Sequence, residues 1–302
     1  MSDIQLYDVV ILGSGPGGIQ AAIHASRKKA RTLMLGRLAN SSLYWAHIEN
    51  YCCMFQVTGE EILRTGREQA ENFGAQFMDQ DVLKVEKKGK LFELSTEGGD
   101  CITTKTLIIA TGTTRNKLGI PGEKDLLGKG VSYCVDCDAG FFRNETVVVV
   151  GNQSAAAGGA MALTEYASTV HLVCDELDVA QSLRKRIAAS DIIVHEGRKA
   201  TEIIGENAVE GISLDNGERI ESTGIFIELG AKGVLELASS LGILLDENMR
   251  YVEVDRKLRT NVEGVYAAGD ITGPPLQMAK AVGEGCVAGT EAATYAKKLK
   301  ID

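Results

Sequence analysis

The residues of this chain best suited to chemistry are Cys134 and Cys137, in the stretch Tyr133-Cys-Val-Asp-Cys-Asp-Ala-Gly-Phe-Phe142. Two thiols at C-x-x-C spacing are close enough to cycle between dithiol and disulfide. The motif also lowers the pKa of one thiol, so that a thiolate is available near neutral pH. The same spacing can form half of a zinc site, which needs a second C-x-x-C or a Cys/His pair at matching spacing. Cys52-Cys53, Cys101, Cys174 and Cys286 supply no such pair, so redox chemistry without a metal is expected. Seven cysteines is an odd count, which argues against a closed disulfide framework. The other five are expected to be small buried hydrophobes.

Elements on both sides of the pair must position it. Tyr7–Leu12 reads as a buried parallel strand. It runs into Gly13-Ser-Gly-Pro-Gly-Gly18, a helix over Ile19–Lys28 and a second strand over Thr32–Leu35. Within this strand–turn–helix–strand unit the spacing G-x-G-x-x-G reads as a dinucleotide site. Gly13 permits the tight turn, Gly15 lets the backbone approach a pyrophosphate, and Gly18 lets the helix pack on the strand. The helix N-terminus stabilises the phosphate charge. The acidic residue expected about 20 positions on is missing; Leu35-Gly36-Arg37 stands there.

Leu91–Ser95 and Cys101–Thr104 read as an antiparallel pair, and Thr106–Ala110 as a further strand running into Thr111-Gly112. Residues 113–122 read as a linker. After the cysteines the unit restarts, with a strand over Thr146–Val150, a helix over Ser154–Ala167 and a strand over Thr169–Val173. Asn216-Gly217 marks a hairpin. Ile225–Ile227 is a strand, Val234–Leu241 a short helix, and Met278–Lys298 a final helix after Gly264-Val-Tyr-Ala-Ala-Gly-Asp270.

Composition narrows the class. The 302 residues are 44% hydrophobic and 24% charged, enough for a sizeable core, and 34 glycines against 4 prolines suit an α/β protein with many tight turns. A net charge of −9 opposes nucleic acid as a partner. No apolar run approaches the roughly 20 residues of a membrane-spanning helix. The N-terminal residues lack the basic and apolar regions of a signal peptide, so a cytoplasmic protein is expected.

With these pieces together, the chain resembles the low-molecular-weight thioredoxin reductases, FAD-dependent pyridine nucleotide-disulfide oxidoreductases. The likeness runs over nearly the whole length. It rests on Gly13–Gly18, Ile48-Glu49-Asn50, Ala110-Thr111-Gly112, Cys134-Val-Asp-Cys137-Asp138, Gly264–Asp270, and Gln277 followed by Gly283-Glu-Gly285. The resemblance implies an α/β fold of two Rossmann-like, three-layer ββα domains, the second inserted in the first. Residues 1–116 and 245–302 would form the FAD domain and 117–244 a central pyridine-nucleotide-type domain carrying the cysteines. It also implies a homodimer, and a central domain that swings about joints near 113–120 and 242–248.

The FAD contacts it implies are Gly13, Ser14, Gly15, Pro16, Gly17 and Gly18, then Gly36, Arg37 and Asn50, then Ala110, Thr111 and Gly112, and finally Gly269, Asp270, Gln277 and Met278. Gly13, Gly15 and Gly18 fall at the pyrophosphate, and Asn50, Asp270 and Gln277 near the flavin. The catalytic set it implies is Cys134, Cys137 and Asp138. Cys137 would face the flavin, Cys134 would attack the partner disulfide, and Asp138 would handle the proton. Taken alone, Asp138 also reads as a helix N-cap and Gly269-Asp270 as a turn.

The second glycine turn departs from the family. It reads Gly151-Asn-Gln-Ser-Ala-Ala156, with Gln153 where a pyrophosphate needs glycine. The strand after it ends Cys174-Asp175-Glu176, where the family presents basic residues to the NADPH 2′-phosphate. Like charge repels that phosphate. Arg184 and Arg186 lie downstream as a possible compensation or a solvated helix face.

The chain therefore resembles the family members that lack NADPH binding and take electrons from ferredoxin. Thioredoxin or a thioredoxin-like protein would be the acceptor. A docking face for an acidic carrier requires a basic patch. Lys28-Lys29 with Arg31 and Lys87-Lys88 with Lys90 are the candidates, although charged residues of this kind ordinarily form plain solvated surface. Three further readings stay open: an NAD(P)H-dependent reductase leaning to NADH, a small-molecule dithiol oxidase, and a non-enzymatic flavin redox sensor.

Overall fold

The computed structural model of the chain describes residues 6–112, 117–229, 240–247 and 249–301, without the side chains of His47, Asp136 and Cys137. Two compact units are present. The first comprises Met1–Thr96, Asp100–Thr113 and Gly233–Asp302, and the second Glu97–Gly99 and Thr114–Lys232. The sequence expectation drew these boundaries at 116/117 and 244/245. Residues 234–239 of the expected helix over Val234–Leu241, and part of each expected joint, lie outside the described residues.

In the first unit a parallel core runs in the order Gln76–Met78, Thr32–Leu35, Leu6–Leu12, Cys101–Ile109. The sheet continues antiparallel through Leu91–Thr96 and Val82–Lys88. Cys101–Ile109 is one strand where two were expected. Its first half pairs with Leu91–Thr96, and its second half with Val265–Ala267 in parallel. Val9 and Ile11 point to one face and Val10 and Leu12 to the other, and all four are buried. Burial on both faces explains the continuous apolar run. Each such side chain contributes about 1.5–3 kcal/mol relative to exposure.

Helices cover the Val9/Ile11 face. Pro16–Arg27 packs against Met278–Lys298 with almost no side chain between them. A Cβ on Gly285 would lie 2.2 Å from the Gly17 carbonyl oxygen, and one on Gly289 would lie 2.3 Å from that of Ala21. Gly59–Asn72 is a helix the sequence reading missed. A capping box starts it: Thr58 Oγ1 accepts from the Glu61 amide, and Glu61 Oε2 accepts from the Thr58 amide.

The second unit has a parallel sheet in the order Ile193–Glu196, Thr169–Cys174, Thr146–Val150, Gly224–Ile227, Val131–Ser132. The helix Ser154–Leu163 stops four residues short of its expected end. A smaller antiparallel sheet contains the expected hairpin, with Gly217 at φ 84° between Gly211–Leu214 and Arg219–Glu221. Both units thus carry the parallel strand–helix–strand architecture of the expected α/β class.

No described helix is long and apolar enough to cross a membrane. Among the described residues, no group of three or more His, Cys, Asp or Glu is placed to hold a metal ion.

Candidate functional site

In the second unit, the edge strand Val131–Ser132 leads into Cys134 and a single helical turn, Val135–Asp138. Cys134 is buried and disulfide-bonded. Cys137 lies on the same turn, and its side chain is outside the described residues. Ser132 connects the parts. Its Oγ accepts from the Cys134 amide at 3.0 Å and lies 2.6 Å from Asp138 Oδ2 and 3.3 Å from the Cys134 carbonyl oxygen. A hydroxyl has one hydrogen, and the shorter contact to the carboxylate takes it. Asp138 precedes the 3-10 turn Ala139–Phe142 but makes no side-chain capping bond to it. Its carboxylate is turned to Ser132 instead, against the reading of a simple cap.

Beneath this turn lies Glu228, only 5% exposed. Its Oε1 accepts from the Val135 amide at 3.1 Å, and its own amide donates to the Val150 carbonyl. Neither Ser132 nor Glu228 was singled out from sequence. Ser132 stands two residues before Cys134, a local signal that was available. Glu228 is 93 positions from Val135 and meets it only through the sheet.

In the first unit the expected nucleotide turn is built. Gly13 has φ 105°, and a Cβ there would lie 2.3 Å from the Ala110 carbonyl oxygen. A Cβ on Gly18 would lie 2.0 Å from the Gly13 carbonyl oxygen. The chain's own packing therefore requires both glycines. Gly15 differs: a Cβ there would meet nothing closer than Ser41 Oγ at 3.4 Å, and its φ is −76°. It is the N-cap residue, followed by Pro16 at the helix start, with no acidic side chain in the first turn and no side-chain cap. The amides of that turn are left to an outside acceptor.

Ser14 and Ala110 are buried, Gly17 packs against the final helix, and Gly112 has φ 74° with open space around it. The Thr111 hydroxyl is buried without a hydrogen-bond partner. An uncrowded glycine and free amides on this turn, with an orphaned hydroxyl on the strand end that packs against Gly13, fit a dinucleotide.

The remaining expected contacts fall into two groups. Gly36 (φ 131°) abuts Ser14, and Arg37 pairs with the buried carboxylate of Asp81 at 2.9 Å. Asn50 and Gln277, far apart in sequence, are joined by a hydrogen bond from Asn50 Nδ2 to Gln277 Oε1 at 3.0 Å. Gln277 is the N-cap residue of the final helix, which Met278 begins.

Asp270 follows Gly269 (φ 89°) in a short 3-10 turn. Burial pushes its carboxyl above the usual range, with Lys280 opposing and Glu284 adding to the rise. The final helix holds that turn: Glu284 Oε2 accepts from the Gly269 amide and Lys280 Nζ donates to its carbonyl, both at 2.8 Å.

The second glycine turn has the same frame. Gly151 has φ 154°, and a Cβ there would lie 2.0 Å from the Glu228 carbonyl oxygen. Gln153 is the N-cap of Ser154–Leu163 and makes no side-chain cap bond. Cys174 is buried, and burial pushes its thiol up to about 11. Asp175 and Glu176 are exposed, Asp175 pairing with Lys199 at 3.2 Å. Arg184 is held by Glu196 at 3.1 Å, and Arg186 is exposed on the same helix.

In the two lysine clusters of the first unit, Lys28, Lys29 and Arg31 are exposed, as are Lys87, Lys88 and Lys90. One expectation about cysteines is corrected. Cys174 is buried, but Cys52, Cys53 and Cys101 are exposed and Cys286 is half-buried. The first three lie in a turn and at a strand start, where no core is available.

The family pattern described as pyridine nucleotide-disulphide oxidoreductase matches residues 7–285. A thioredoxin reductase of Listeria monocytogenes is 35% identical, over 99% of this chain and 97% of its own. Among solved structures, the atypical thioredoxin reductase TRi from Desulfovibrio vulgaris Hildenborough matches with a TM-score of 0.84 at 34% identity, over 96% of this chain and 98% of its own. A ferredoxin-flavin thioredoxin reductase from Clostridium acetobutylicum matches with a TM-score of 0.71 at 30% identity, over 97% and 99%.

Proposed function

The chain belongs to the pyridine nucleotide-disulphide oxidoreductase family, and from that premise we propose that it reduces the disulfide of thioredoxin or a thioredoxin-like protein with electrons from a ferredoxin-type carrier. It is a FAD-dependent oxidoreductase of the thioredoxin reductase type. The observation that carries the acceptor side is the disulfide-bonded Cys134, tied through Ser132 to the carboxylate of Asp138.

In this reading, the residues that would hold FAD are Gly13–Gly18 and Thr111 at the pyrophosphate and Asn50, Asp270 and Gln277 at the flavin. When bound, FAD accepts single electrons and delivers them in pairs to a disulfide. In the dithiol form, the Cys134 thiolate attacks one sulfur of the partner disulfide and forms a mixed disulfide. Cys137 attacks Cys134, closing the internal disulfide and releasing the partner as a dithiol. Asp138 supplies the proton to the departing thiolate, and Ser132 holds that carboxylate in place. The protein would work as a cytoplasmic homodimer.

The donor side rests on the second turn. Gln153 puts a side chain where a pyrophosphate must approach the backbone. Asp175 and Glu176 present negative charge where a 2′-phosphate would bind, and Arg184 is already engaged by Glu196. The likeness to a ferredoxin-flavin thioredoxin reductase supports the same reading. NADH is the second reading of the donor, because the Asp175 carboxylate can accept from a ribose hydroxyl if it leaves Lys199.

Anaerobic titration of the FAD-loaded protein with NADPH, NADH and reduced ferredoxin tests the donor. Flavin bleaching by ferredoxin alone is expected; rapid stoichiometric bleaching by either nucleotide overturns the proposal. Cys134→Ser is expected to abolish thioredoxin reduction while keeping the flavin spectrum.

A further inference from the structure

Cys52 and Cys53 take no part in the arrangements described above. Both are exposed and free, and their Sγ atoms lie 3.4 Å apart. They fill the centre of a tight turn, closed by the Met54 amide donating to the Tyr51 carbonyl at 3.1 Å. Extended backbone sends successive side chains to opposite sides. Here Cys53 has φ 68°, a conformation that residues with a side chain rarely adopt. The turn thereby brings two neighbouring thiols onto one side of the chain.

Geometry separates the reactions open to such a pair. A direct disulfide requires about 2.05 Å between sulfurs and Cα atoms at least about 4.4 Å apart. Adjacent residues have Cα atoms about 3.8 Å apart. Direct closure is therefore strained and readily reversed. A single atom bridging the sulfurs relieves that constraint. With metal–thiolate-type bonds of about 2.3 Å, a 3.4 Å separation corresponds to an angle of about 95° at the bridging atom.

Tetrahedral zinc wants about 3.8 Å between sulfurs and two further ligands. Among the described residues no group of three or more ligating side chains is assembled. A pyramidal trivalent centre that keeps one carbon substituent needs only two sulfurs, close to a right angle. The next residues, Met54 and Phe55, are 38% and 76% exposed and offer apolar surface to such a substituent.

We propose that Cys52 and Cys53 form a chelating site for organic trivalent arsenicals, separate from the C-x-x-C pair. The hydrated arsenical, R–As(OH)2, exchanges both hydroxyls for the two sulfurs. Two As–S bonds form, two As–O bonds break, and the thiol protons leave with the hydroxyls as two waters. No electrons change hands, so no oxidant is needed.

Phenylarsine oxide added to the FAD-loaded full chain carrying Cys134→Ser and Cys137→Ser, the background for every comparison below, tests this, because added thiols cannot then open a competing dithiol at the C-x-x-C pair. Native mass spectrometry is expected to show one phenylarsenic bound per chain, with two titratable thiols lost. An excess of 2-mercaptoethanol should leave it in place and a 1,2-dithiol should strip it. Cys52→Ser and Cys53→Ser should each weaken binding about 100-fold, the lower end of the gain from tethering two ligands, and leave a product that the monothiol removes. Cys101→Ser should bind as the background chain does, and flavin absorbance checks that each variant is folded. Full-strength binding in either Cys52→Ser or Cys53→Ser, or monothiol release from the background chain, overturns the assignment.

Discussion

The two glycine turns share a frame and differ at one kind of position. At the first position, Gly13 and Gly151 are both pressed against a carbonyl oxygen, that of Ala110 in one case and of Glu228 in the other. At the last position, Gly18 and Ala156 are small because helix and strand must meet. The middle position separates them, with Gly15 uncrowded, nothing nearer its Cβ position than Ser41 Oγ at 3.4 Å, and Gln153 carrying a full side chain. Residues that serve the fold are thus distinct from the residue that serves a ligand. A turn can keep the former and still be unsuited to a dinucleotide.

The largest expected effect comes from disturbing the frame. Gly18→Ala forces a methyl group to 2.0 Å from the Gly13 carbonyl oxygen. It should cost about 3 kcal/mol or more, at the upper end of overpacking penalties. Chemical denaturation of the ligand-free protein measures it. Ala156→Gly, at the matching position of the second turn, should cost no more than about 1 kcal/mol.

Gly15→Ala should behave differently, with no more than about 1 kcal/mol lost from the ligand-free chain and at least about tenfold weaker FAD binding. Equal losses in Gly15→Ala and Gly18→Ala would erase the distinction between frame and ligand positions. Gln153→Gly is the reciprocal change. It should raise the rate of flavin bleaching by NADH several-fold, with a smaller gain for NADPH because Asp175 and Glu176 remain. A stopped-flow trace that does not change would locate the obstacle in those two carboxylates alone.

The smallest effect concerns pH. Asp270 has its carboxyl raised by burial. The folded ligand-free chain therefore binds more protons than the unfolded chain between the ordinary carboxyl pKa, about 3.9, and the raised value. Stability falls as pH rises through that window, and the penalty is complete above it. Asp270→Asn should flatten this dependence, so that its Tm relative to the unaltered chain is higher at pH 7 than at pH 4. Parallel Tm differences at the two pH values would contradict the assignment of the strain to this carboxyl.

Much of this arrangement was legible in residue order. Thr32–Leu35, Thr146–Val150 and Met278–Lys298 appear with the expected bounds, because apolar runs and periodicity are local signals. Gly59–Asn72 escaped because it buries only Gly59, Leu63 and Ala70, too few to make an apolar stripe. Its sign was the capping box at Thr58 and Glu61. The support around Cys134 was only half legible. The cysteines announce themselves by spacing, whereas Glu228 reaches Val135 by strand pairing, which no local pattern reports. Cysteine type alone likewise says nothing of burial, and Cys52 and Cys53 are exposed because a turn takes them away from any core.

The contact of Gly285 and Gly289 with the first helix also sets a schedule for synthesis. Pro16–Arg27 leaves the ribosome early, but the helix it packs against, Met278–Lys298, leaves late. The second unit, ending at Lys232, has emerged complete before that partner exists. At about 5–20 residues per second, the 66 residues from Lys232 to Lys298 take about 3–13 s. During that interval the strand and glycine turn of the first unit wait with one face uncovered, while the inserted unit can already fold.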